Sequence, residues 1–179
     1  IIPGIHNYAR KHGPWHLFVE MRGMDEHVEL PKGWQGDGVI ARVGNPKIAE
    51  HLAEHGIPVV NVSGIQIEGV DFPRVSNDAE AVGRLAVSYF LERGFRNFAY
   101  LSLRGLEFVA RQHTAFEKAA EEAGCPSWTY AVKVHRGFQS PDWNLRVDQL
   151  AKWLVSLPKP LAVLTWSGGR EIIMACQQA

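Results

Sequence analysis

The chain has 179 residues, 46% of them apolar and 21% charged, which is enough to bury a core in one or two domains and too ordinary for a disordered chain. Lys plus Arg and Asp plus Glu number 19 each, and a net charge of zero excludes the basic surface with which a domain grips nucleic acid by itself. No apolar run approaches the ~20 residues of a membrane span, and Cys125 and Cys176 have neither metal-ligand nor redox spacing, so they read as two buried free thiols of a cytoplasmic protein.

The pattern predicts a helix over 1–12, with Ile1, Ile5, Tyr8 and Ala9 on one face and Pro3 tolerated in the first turn. Gly13-Pro14 ends it and a strand follows over 15–21. Residues 22–35 carry mixed charge and a Pro31-Lys32-Gly33 turn, and read as a loop with one short helix. Gly36-Asp37 leads into a strand over 38–43. A helix over 46–55 turns Ile48, Ala49 and Leu52 inward and stops at Gly56, a strand covers 57–62, and 63–74 is a loop rich in glycine and acid.

Residues 75–111 organise the rest. Asn77 or Asp78 can cap a helix, because a short side-chain oxygen accepts from an orphan backbone N–H. Glu80 follows Asn77 by three, the spacing of a capping box. Val82, Leu85, Ala86, Tyr89 and Phe90 then form the apolar stripe of a helix laid on a sheet, and Gly94 supplies its left-handed stop. Residues 98–103 make a strand buried on both faces. A polar loop opens the next helix, which carries Arg111 near its start and buries Phe116, Ala119, Ala120 and Ala123 before Gly124. A strand over 130–134 follows. Ser140-Pro141-Asp142 starts a helix burying Val147, Leu150, Trp153, Leu154 and Leu157, with Pro158 and Pro160 bracketing its end. A strand over 161–165 and a helix over 169–179 complete the chain.

Strands alternate with helices, so the class is α/β with parallel sheets. A helix opens the chain with no strand ahead of it and another closes it with no strand behind, so the pattern is expected to be part of a larger fold. In such sheets ligands bind beyond the carboxyl ends of the strands, where following helices begin. Asp78 stands at one helix start and Arg111 near another.

Several segments, in order, carry a family likeness: Gly36-Asp37-Gly38-Val39-Ile40-Ala41, Ile57-Pro58-Val59-Val60-Asn61-Val62, Asn77-Asp78 with its helix, Arg96-Asn97-Phe98-Ala99-Tyr100, Arg111 to Phe116, and Leu164 to Cys176. Together they cover nearly the whole chain. The chain resembles the sugar-sensing domains of xylose operon regulators, within the periplasmic-binding-protein-like group that includes the lactose repressor. The resemblance implies a truncated periplasmic-binding-protein-like I fold of two Rossmann-like parallel-sheet lobes. Residues 1–74 would form the N-terminal lobe, without its first strand, and 75–179 the crossover and an incomplete C-terminal lobe. It implies a monosaccharide effector, with D-xylose the expected sugar, held in a cleft whose closure is relayed to a helix-turn-helix module absent from this chain. The partners so implied are the sugar, operator DNA through that module, and a second copy in a homodimer; no membrane partner and no cofactor are implied. A secreted sugar receptor for ABC-type uptake is the alternative role of the same fold.

Carried over by position, Asp78 and Arg111 are the expected effector contacts, Phe108 the expected cleft aromatic, and Trp166 a further cleft residue. A guanidinium or carboxylate engages two neighbouring hydroxyls at once, and an aromatic face covers a sugar's apolar side. Where the family has a short acid or amide after the last strand, this chain has Trp166, which covers a ring but offers no acceptor. Each residue also has a plainer reading: Asp78 as a helix cap alone, Arg111 as an ion pair, Phe108 as core, Trp166 as a plug at a strand end.

His51-Leu52-Ala53-Glu54-His55 spells an inverted zincin motif. It lies in a last helical turn, where histidine suits the dipole, and it reads as a solvated face. Ser167-Gly168-Gly169 lacks the Gly two before the Ser and no histidine follows it, so no hydrolase is expected. Neither a dinucleotide fingerprint nor a phosphate loop occurs, and the chain reads as a binding module and not an enzyme.

Overall fold

The computed structural model describes residues 1–20, 30, 31, 33–133 and 143–178. Two parallel sheets organise it. The first pairs β1 (Val39–Ala41) with β2 (Val59–Asn61), in register Val39 to Val59. The second has the order β4-β3-β5, with β3 (Asn97–Arg104) between β4 (Ser127–Lys133) and β5 (Leu161–Thr165). The helices are α1 (Ile2–His12), α2 (Pro46–Glu54), α3 (Ala79–Glu92), α4 (Glu107–Glu122), α5 (Trp143–Ser156) and α6 (Gly169–Gln178).

The second sheet is covered on both faces, and the period of two in its strands assigns each side chain. Phe98 and Tyr100 of β3 and Ala162 of β5 point into a cluster with Val87 of α3 and Val109, Phe116, Ala119 and Ala120 of α4. Leu101, Leu161 and Val163 point the other way, into a cluster with Val147, Leu150, Ala151 and Leu154 of α5 and Ala175 of α6. A smaller core joins Ile48, Ala49 and Leu52 of α2 to Val59 and Val43 beside the first sheet.

Structure and pattern differ at several places. Residues 15–20 join no ladder among the described residues, since a strand exists only by hydrogen bonding to a neighbour. In α1 only Ala9 is buried; Ile1 stays exposed and Tyr8 stacks on His12 at 4.1 Å. The expected stripe on α3 is rotated: Gly83 and Val87 are buried, whereas Leu85 is 71% and Tyr89 50% exposed. The cause is Gly83, where α4 crosses so closely that a Cβ would lie 2.7 Å from the Ala115 carbonyl carbon. The backbone contact pulls the inward meridian toward the glycine. Ala123, expected in the core, is exposed as the C-cap of α4, and Cys176, expected to be buried, is exposed on α6. The expected helix start at Ser140-Pro141-Asp142 and most of the expected 22–35 loop lie outside the described residues. No helix among the described residues is long and apolar enough to cross a membrane.

Candidate functional site

A chain segment running from β2 to α3 links the two sheets, and Asn61 anchors it. The Asn61 N–H donates to Pro73 O at 2.8 Å, its carbonyl accepts from Val75 N at 2.9 Å, and it forms an isolated parallel bridge with Arg74. Asp78 then caps α3, its Oδ1 accepting from the Ala81 N–H at 3.0 Å. The expected box between Asn77 and Glu80 does not form: with Asp78 as the cap, Glu80 falls one position early and pairs with Arg84 at 3.3 Å.

A cavity of about 590 Å³ opens at the junction of the two sheets. Ile1 and, from α1, Ile2, Ile5 and His6 line it together with Glu20; Arg42, Val62 and Gly64, beside the first sheet, and Asn77, Phe108 and Trp166 also line it. Its size falls within the range of small-ligand sites, and its walls are mainly apolar with a few polar groups, the composition such sites share.

Of the four residues singled out in the sequence, Phe108 and Trp166 line this cavity. Their rings meet edge to face, with centroids 4.8 Å apart. Phe108 is 9% exposed and belongs to the core cluster as well, whereas Trp166 is 40% exposed at the end of β5. Asp78 and Arg111 are not among the lining residues. Asp78 is exposed, with Oδ1 turned to its own helix. Arg111 lies between two acceptors, Glu107 Oε1 at 3.5 Å on α4 and the Gly64 carbonyl at 3.5 Å across the junction. Arg42, Gly64 and Asn77 were not singled out as site residues. Asn77 was visible only as an alternative cap, and nothing local marks Arg42 or Gly64, which reach the cavity because the chain returns there.

The turn after β5 needs glycine at 168, where φ is +91° and a Cβ would press on Leu101 at 2.9 Å. It is held by Thr165, whose Oγ1 accepts the Ser167 N–H at 3.2 Å. The two histidines of the zincin-like motif serve the backbone: His51 Nε2 accepts the Leu30 N–H at 3.0 Å, and His55 Nδ1 lies 2.8 Å from the His51 carbonyl. Among the described residues no group of three or more His, Cys, Asp or Glu is placed to hold a metal.

The first 80 residues match the XylR N-terminal domain family. Across 99% of its length the chain is 26% identical to the xylose operon regulatory protein of Escherichia coli K12 and 28% identical to that of Haemophilus influenzae Rd. It spans 46% and 47% of those relatives, about half their length. A solved structure described as a xylose-binding transcription activator superposes over 99% of the chain with a TM-score of 0.74 at 24% identity, the chain covering 46% of it. A LacI-family regulatory protein from Chloroflexus aggregans superposes over 79% of the chain and 51% of its own length, with a TM-score of 0.56 at 19% identity. The fold is the periplasmic-binding-protein-like α/β architecture that these solved structures share.

Proposed function

We propose that this chain is part of the sugar-sensing domain of a bacterial transcription regulator, with D-xylose as the first effector to test. The observation that supports it most is the likeness to xylose operon regulatory proteins along 99% of the chain, joined to a cavity at the junction of the two sheets. In this reading residues 1–74 and 75–179 form two lobes. Phe108 and Trp166 cover the sugar's apolar side, while Arg111 and Asp78, at helix starts beside the cavity, take its hydroxyls as the lobes approach.

Binding would favour one lobe arrangement only through higher affinity for it. A DNA-binding module elsewhere in the polypeptide would read the shift, as a cytoplasmic homodimer on operator DNA. The reading assigns the site binding without turnover.

The test is calorimetric titration with D-xylose, L-arabinose, D-ribose and D-glucose, on the wild type and on Arg111→Ala. Saturable binding of a pentose, weakened at least tenfold in the variant, is expected. Absence of binding to any of the four, or an unchanged Kd in Arg111→Ala, overturns the reading.

A further inference from the structure

Only three polar residues are buried among those described, and two of them are Asn61, which ends β2, and Ser63, two residues on. Burying such groups is costly unless they are hydrogen-bonded. Both are bonded, and to one end: Asn61 Oδ1 accepts from the Val43 N–H at 3.2 Å and from the Ser63 N–H at 2.8 Å, and Ser63 Oγ accepts from the Ile65 N–H at 3.1 Å. The amides on either side of Gly64 are therefore fixed to side chains that cannot move.

Gly64 lies against the first turns of α4. A Cβ there would lie 3.0 Å from Phe108 Cγ, and its carbonyl accepts from Arg111 Nη2 at 3.5 Å. Phe108 and Arg111 are both near the start of α4, so two site residues from the second sheet are referenced to one peptide beside the first. Arg111 has a long, flexible stem; between Glu107 and the Gly64 carbonyl its guanidinium is held from two directions.

We infer that Asn61 and Ser63 are positioning residues of the candidate site: they fix the Gly64 carbonyl, which in turn fixes the Arg111 guanidinium at the edge of the cavity. The inference rests on the reading of Arg111 as an effector contact, but its first link, from Ser63 to Arg111, is measurable without any sugar. A guanidinium held in place needs less ordering on binding, so its holders raise affinity without touching the ligand.

The experiment follows the Arg111 Nε–Hε group by nitrogen relaxation and D-xylose binding by calorimetry in Ser63→Ala, Ser63→Thr and Gly64→Ala, with the amide spectrum as the check on folding. Ser63→Ala is expected to loosen Arg111 and to weaken D-xylose binding roughly two- to tenfold, the worth of one hydrogen bond; Ser63→Thr, which keeps the oxygen, restores both. Should Ser63→Ala fail to fold, Gly64→Ala, which displaces the carbonyl by crowding Phe108, carries the same expectation. An Arg111 signal unchanged in these variants overturns the inference. A loosened Arg111 with no sugar bound even by the wild type upholds the positioning and sinks the sugar reading.

Discussion

Asp78 caps α3. Its Oδ1 satisfies one of the orphan N–H groups at the start of α3, worth about 1 kcal/mol. Asp78→Ala is therefore expected to lower the unfolding free energy measured in urea by that amount, and Asp78→Ser to recover most of it; no loss in Asp78→Ala would remove the capping account. Among the described residues, Tyr100 is the group whose burial makes stability depend on pH. Burial pushes its phenol up from 10.0 to about 12. Between those values the unfolded chain has released the proton and the folded chain keeps it, so stability falls as pH rises. Of four tyrosines, one is expected to ionise last, near pH 12 or with unfolding, as followed by phenolate absorbance. Four phenols titrating together near pH 10 would contradict this.

The crossing of α3 on α4 depends on a missing side chain. At Gly83 a Cβ would meet the Ala115 carbonyl carbon and oxygen at 2.7 Å, backbone atoms that cannot rotate away. Gly83→Ala is expected to destabilise by about 1–3 kcal/mol, because overpacking must part the helices, although alanine is the better helix former. Gly4 of α1 is the control: nothing lies within 4 Å of its would-be Cβ, so Gly4→Ala should be neutral or stabilising by up to about 1 kcal/mol. Equal midpoints for the two variants in thermal unfolding would refute the close crossing. The same contact explains the rotated stripe. Leu85 and Tyr89 satisfy the helical period as well as Val87 does, and only the partner helix selects among them.

At the scale of the molecule, the cavity belongs to neither sheet alone. Arg42 and Gly64 come from one side, Phe108 and Trp166 from the other, and the segment anchored at Asn61 runs between them. In the proposed reading a sugar taken up at this junction would favour one arrangement of the two lobes. The sequence by itself determined the alternation of strands and helices, the doubly buried strand through Phe98 and Tyr100, the cap region at Asn77-Asp78, and the family likeness, because periodicity, turn residues and caps are local. It ranked Asp78, Arg111, Phe108 and Trp166 by position in that likeness. Only the tertiary structure decided which of Asn77 and Asp78 caps α3, which meridian of that helix is inward, that residues 15–20 join no ladder among the described residues, and that Gly64 meets Arg111. All but the first of those depend on a partner distant in the chain. The Arg111–Gly64 contact spans 47 residues, and local pattern carries no information about what lies across such a gap.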